Sequence, residues 1–207
     1  MGKIDLANWN RSKHYELFRT YKQPFFNLTF RLDLTRFLPR IKAQGYPFFL
    51  TFLHVVLTAS NQVESLRLRL REDGVFLHDR VHASYTLMTN AGVFRFFTAH
   101  YQDDLESFLY QTIERAEAAK STIDVSDEQG VDDLVFVTSM PWVAFTSVEH
   151  AMPGHPLDSF PRLAWGKYER AGEKIEIPFS ISCHHALVDG QDIGAFVVHL
   201  QTLLDTI

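Results

Sequence analysis

The chain has one cysteine, Cys183, in 207 residues. A lone thiol excludes an intramolecular disulfide and suits a reducing compartment. Long hydrophobic runs are missing too. The longest, Phe48 to Ala59, contains Thr51, His54 and Thr58; it is too short to span a bilayer and reads as a buried helix. The first 20 residues carry Asp5, Trp9, Arg11 and Glu16, which are too polar for a signal peptide. No run of Lys and Arg stands out and the formal charge is −5, which speaks against nucleic-acid binding. No linker, repeat or low-complexity stretch is present. The nearest candidate, the acidic Asp124 to Asp133, separates a helix from a strand without needing to separate domains. These absences leave a single soluble cytoplasmic domain over residues 1–207, long enough to bury a core without disulfides or metals.

What is abundant is phenylalanine, with 18 residues. Either the core is Phe-rich, or some of these rings line a ligand pocket or a subunit interface, where aromatics are also enriched.

Hydrophobic periodicity places the elements. Phe26 to Leu34 alternates apolar and polar residues as a half-buried strand. Thr35 to Ala43 reads as a short helix stopping near Gly45, and Pro47 opens the apolar helix. Leu66, Leu68 and Leu70 alternate with arginines, and Asp73-Gly74 turns the chain into Val75 to Leu77, a hairpin. Ser84 to Met88 and Val93 to Ala99 flank a second turn. Asp103 to Lys120 is an amphipathic helix with Asp103, Asp104 and Glu106 at its positive end. Leu134 to Thr138 is a short buried strand, and Arg162 to Arg170 and Ile175 to Ser182 are strands joined through Gly172. A helix from about Asp192 closes the chain. Without regular βαβ alternation, the expected fold is α+β, a mixed or antiparallel sheet covered by helices.

The segment Ser182-Cys183-His184-His185-Ala186-Leu187-Val188-Asp189-Gly190 lies where a strand ends and the last helix begins. Adjacent side chains of an extended chain point to opposite faces, so only one histidine can face a given cleft. That imidazole could take a proton from a hydroxyl or thiol. It could equally be a structural histidine beside a turn, with Asp189 as a local cap and Gly190 permitting the turn. Metal binding is the weakest reading: there is no HExxH, and His78 and His82 have helical spacing in a region that reads as strand and loop.

His-His-Ala-x-x-Asp-Gly resembles the active-site signature of the chloramphenicol acetyltransferases; a looser form is shared with dihydrolipoamide acyltransferase cores and peptide-synthetase condensation domains. Asn8-Trp9-x-Arg11, Asn61-Gln62 before Leu66-Arg67, Met140-Pro141-Trp142-Val143 with Phe145, and Lys167-Tyr168 occur in the family's order. The resemblance covers nearly the whole chain. It implies an enzyme that moves an acetyl group from acetyl-coenzyme A, a co-substrate, to a hydroxyl of chloramphenicol, with no metal. It implies His185 as general base and Thr138, where the family has Ser, as donor to the tetrahedral oxyanion. It implies a buried Arg11–Asp189 ion pair that holds the active-site loop. Tyr168 would lie on the coenzyme side and the active sites between the subunits of a homotrimer. Departures cluster on the acceptor side. Phe18 stands where a drug-contacting Tyr is usual, Ala164 replaces a Thr, Phe136 an Asn, and Gln191-Asp192 a Phe-His pair, whereas Phe26 matches a pocket aromatic. Another hydroxylated acceptor, or a homologue that binds but turns over poorly, fits these departures as well.

Overall fold

A computed structural model describes residues 1–122 and 130–206; most of the acidic stretch from Asp124 lies outside the described residues. In chain order the elements are β1 (Gly2–Lys3), α1 (Ser12–Phe18), β2 (Phe25–Asp33), α2 (Phe37–Ala43), α3 (Phe48–Gln62), β3 (Leu68–Arg71), β4 (Gly74–Leu77), β5 (His82–Met88), β6 (Phe94–Ala99), α4 (Leu105–Ala119), β7 (Leu134–Ser139), β8 (Arg162–Trp165), β9 (Glu169–Ala171), β10 (Lys174–His184) and α5 (Gly190–Thr206). The main sheet has seven strands in the order β2-β10-β8-β7-β5-β6, with β9 also paired to β10. β7 runs parallel to β5 and β8 while the other pairs are antiparallel, so the sheet is mixed, as the sequence suggested. A small sheet β1-β4-β3 stands apart, with the expected hairpin at its centre.

Residues partnered across strands share a sheet face. Ile181, Leu163, Val137 and Tyr85 form one row, all buried. The helices cover that face: Phe52 of α3 meets Trp165 at 5.0 Å between ring centroids, and Phe196 of α5 meets Phe179 at 5.9 Å. The opposite face carries Thr29, Ser180, Ala164 and Thr138 in one row. Of the phenylalanines, Phe37, Phe52, Phe108, Phe179 and Phe196 are fully buried in the core, whereas Phe94 and Phe96 are exposed.

Three local details differ from the sequence reading. Helix α1 was not marked by periodicity. The strand expected over Arg162 to Arg170 is broken at Gly166, where a Cβ would sit 2.4 Å from the Val143 carbonyl oxygen, so only glycine fits that approach. Gly190 does not adopt positive φ; it is simply the first residue of α5.

Asn61, from the Asn-Gln motif, is a fold residue. Its amide accepts from the Val81 N–H at 2.8 Å and donates to the Val81 carbonyl at 3.1 Å, fixing the entry to β5 against α3.

Candidate active site

The two histidines at the end of β10 are in different environments, as the alternation of an extended chain requires. His184 is 2% exposed and its Nδ1 accepts the Ala186 N–H at 3.2 Å. Burial holds its imidazole down at about 4, so it stays neutral and structural at ordinary pH.

His185 is half-buried. Its backbone N–H donates to the Pro24 carbonyl at 2.8 Å, tying the chain after β10 to the approach to β2. Its Nδ1 lies 3.0 Å from the Val188 carbonyl oxygen. A carbonyl oxygen only accepts, so Nδ1 carries the proton and the neutral ring keeps its lone pair on Nε2. Phe18 stacks on the ring at 4.1 Å and 21°, and Phe26 leans on it at 4.5 Å and 38°. The imidazole is thus fixed in tautomer by the turn after β10 and in orientation by aromatic walls.

Helix α1 spans this arrangement from one end to the other. Phe18 is its last residue; Arg11 immediately precedes its first. Arg11 reaches Asp189 Oδ2 at 2.9 Å and Asp192 Oδ2 at 2.8 Å. The same Asp192 oxygen accepts the Asp189 N–H at 2.8 Å. Asp189 Oδ1 meanwhile accepts the backbone N–H groups of Gln191 and Asp192 at 2.8 and 3.2 Å. Asp189 is therefore both the local cap of α5 and a partner of Arg11. Burial pushes its carboxyl up, but the Asp192 and Gln191 amides and the Arg11 charge outweigh that and hold it below the usual carboxylate range.

Two expectations are corrected here. The pair is not buried within the chain: the Asp189 side chain is 42% exposed and the Arg11 side chain 19%. Asp192, which looked like an acceptor-side departure, is the second carboxylate on Arg11. Nothing in the local sequence pairs Arg11 with residues some 180 positions away.

Thr138 is not brought to His185 within one chain. It pairs with Ala164, which pairs with Ser180 two strands away. His185 lies five residues beyond Ser180, roughly 17 Å along the strand direction. Ala164 is fully buried in that row. Phe136, two residues before Thr138 on β7, stacks on Phe160 at 4.7 Å.

Tyr168 lines a different, mostly apolar cleft of about 890 Å³ with Phe48, Phe49, Trp142, Lys120 and Lys167. Trp142 of the Met-Pro-Trp-Val segment is 80% exposed there. Among the described residues no group of His, Cys, Asp and Glu could hold a metal ion, and no helix is long and apolar enough to cross a membrane.

The order of these pieces along the chain decides what the protein is related to. A family model described as chloramphenicol acetyltransferase matches residues 1–201. The chain belongs to the chloramphenicol acetyltransferase family, a family of acyltransferases. It is 28% identical over 205 residues to the chloramphenicol acetyltransferase of Klebsiella sp, a match covering 98% of this chain and 93% of the relative. Chloramphenicol acetyltransferase 3 of Escherichia coli is 26% identical over 207 residues, covering 99% and 97%. A solved chloramphenicol acetyltransferase superposes with a TM-score of 0.86 at 24% identity, covering 98% of this chain and 99% of that one. The catalytic core of the 2-oxoacid dehydrogenase multienzyme complex from Thermoplasma acidophilum has a TM-score of 0.70 at 17% identity over 99% of each chain, a likeness of fold alone.

Proposed function

We propose that this acyltransferase moves an acetyl group from acetyl-coenzyme A to a hydroxyl of chloramphenicol by direct attack, with His185 as general base. The observation that carries this reading is the Nδ1 contact to the Val188 carbonyl, which leaves Nε2 to accept a proton. As Nε2 takes the hydroxyl proton, the acceptor oxygen attacks the thioester carbonyl carbon and its π electrons move onto the oxygen. The resulting tetrahedral oxyanion takes a hydrogen bond from the Thr138 hydroxyl. Collapse breaks the C–S bond, the thiolate leaves, and the imidazolium returns the proton to sulfur. No acyl-enzyme forms, and no metal takes part.

Because Thr138 and His185 of one chain lie far apart, the reaction needs a second copy to bring Thr138 to the imidazole. A homotrimer with sites between subunits meets that need. Phe18 and Phe26 hold the base in a partly dry setting. Arg11, Asp189 and Asp192 support the loop that carries it. The coenzyme arm runs through the cleft of Tyr168, whose apolar floor suits the arm and whose Lys120 and Lys167 suit its phosphates. The proposed setting of the reaction is the cytoplasm.

A second acceptor class is favoured by specific residues. Phe136 is stacked and Ala164 sealed where the family offers polar groups, so a hydroxylated small molecule other than chloramphenicol fits the same chemistry. The experiment is thiol release from acetyl-coenzyme A, first with chloramphenicol and then with a panel of alcohols. Acceptor-dependent release is expected. No release with any hydroxyl acceptor overturns the reading.

A further inference from the structure

The cleft of Tyr168 adjoins a second cavity, of about 320 Å³, that the proposed chemistry does not use. Leu38 and Lys42 of α2, Arg170 of β9 and Ile175 of β10 line it, and Tyr168 lines both cavities. On the cleft side the Tyr168 ring rests against Phe48, 5.3 Å between centroids. Leu38 and Lys42, four residues apart, lie on one face of α2. Arg170 is opposite Ile175 in the β9–β10 pair and shares its face. Glu169 also borders the cavity, but it is opposite Glu176 on the other face of that pair. Two cations therefore share the cavity side, and the one carboxylate projects away from it.

Lys42 and Arg170 are exposed, and their side chains make no hydrogen bond or ion pair with any described residue. The cations around them are matched. Arg31 faces Glu176, Lys174 faces Asp33, and Arg40 donates to the Asp205 carbonyl.

Charge balance points to an occupant. In the first cleft Lys120 and Lys167 stand with Glu117, and Lys120 is paired with that carboxylate. The cleft thus offers little positive charge beyond Lys167. Coenzyme A carries a diphosphate and, on its ribose, a phosphate monoester with a charge of about −1.5 to −2 at neutral pH. Reach is adequate as well. Arg170 follows Ala164, the cross-strand partner of Thr138, by six residues. Their backbones are therefore at most about 20 Å apart, which an extended pantetheine arm with its diphosphate spans.

We propose that Lys42 and Arg170 form a subsite for the 3′-phosphate of coenzyme A, which passes Tyr168 to reach the second cavity. This rests on the acyl-transfer reading and adds to it the means of choosing the phosphorylated coenzyme. Arg170 can hold the monoester with two parallel N–H donors, and Lys42 adds a point charge.

The test compares acetyl-coenzyme A with acetyl-dephospho-coenzyme A, which lacks only that phosphate, in thiol release with chloramphenicol or another active acceptor. Removing the phosphate should raise KM by roughly tenfold, the lower end for hydrogen bonds to a charged group, with kcat nearly constant. In the double variant Lys42→Gln with Arg170→Gln, the ratio of the two KM values should fall toward unity. Arg170→Lys should keep part of it. Lys167→Gln should weaken both coenzymes alike and leave the ratio in place. Both altered positions are exposed, so the double variant should fold. Equal KM values in the wild type overturn the inference while leaving acyl transfer intact, as does a ratio that survives in the double variant. Calorimetric binding of coenzyme A and dephospho-coenzyme A reads the subsite without turnover. Absence of thiol release with every acceptor removes the acyl-transfer reading. A binding gap that the double variant abolishes would still support the subsite, and equal affinities would overturn it.

Discussion

The ring of Phe18 lies 4.1 Å from the imidazole of His185, almost parallel to it. Phe18 ends α1 and His185 follows β10, so in the proposed mechanism this contact sets the angle at which the imidazole faces a substrate. Phe18→Leu keeps an apolar wall but loses the flat stacking surface. It should lower kcat by roughly tenfold to a hundredfold, the scale of a small misplacement of a catalytic group. The KM for acetyl-coenzyme A should stay close to wild type. An unchanged kcat would show that Val188 and Phe26 suffice to hold the ring.

Thr138→Ala should cost about 10²–10³-fold in kcat if the hydroxyl is an oxyanion donor, and Thr138→Ser should retain or raise activity. Since Thr138 and His185 do not meet within a chain, Thr138→Ala and His185→Ala proteins, each nearly inactive, should recover activity when mixed under conditions of subunit exchange. Random assortment restores about a quarter of the sites. Light scattering should show a trimer. No recovery after proven exchange would place the two groups in separate roles.

Arg11 holds its carboxylates in a partly exposed setting, which sets the scale of the next effects. Asp189→Asn keeps a capping side chain but removes the charge. With the Asp189 side chain 42% exposed, solvent screening limits the loss to about 1 kcal/mol. Asp192→Asn should cost more, about 2 kcal/mol, because that carboxylate is only 21% exposed and binds the Asp189 N–H besides Arg11. Combined with Arg11→Met, either change should be less damaging than the sum of the single effects, as urea unfolding can measure. Strict additivity would mean that the contacts carry no energy.

His184 predicts a pH effect on stability. Its imidazole sits at about 4 in the folded chain against an ordinary 6.5, chiefly because it is buried. Below 6.5 the unfolded chain takes up a proton that the folded chain refuses, so stability falls as pH drops from 6.5 toward 4. The slope from this group is at most about 1.4 kcal/mol per pH unit, or about 3 kcal/mol over the window. His184→Asn can still accept the Ala186 N–H and should flatten that part of the profile. His54, His78 and His150 are also held low by burial and should leave a residual slope. An identical pH profile in the variant would contradict this account of His184.

Much of the fold was legible because it is local. The helical spacing of Leu105, Phe108, Leu109 and Thr112, with Asp104 capping at Ser107, reads directly as α4. The alternation in Leu68 to Leu77 reads as the β3–β4 hairpin. The site was less legible because its geometry is non-local. Helix α1 has only seven residues and a mixed surface, yet it begins just after Arg11 and ends on Phe18. Asp192 follows Asp189 closely enough to look like ordinary helix-start chemistry, and only the fold brings Arg11 between them. Asp158 and Arg162 are spaced as if on a helix, but Asp158 precedes β8 and Arg162 opens it, so their pairing is invisible to periodicity.

The central claim is that His185 takes the acceptor's proton, and it is tested most directly by kcat for thiol release from acetyl-coenzyme A with any active hydroxyl acceptor. His185→Ala should lower kcat by about 10²–10⁴-fold with the fold intact by circular dichroism, while His184→Ala lowers it far less. Equal kcat for wild type and His185→Ala would contradict the account.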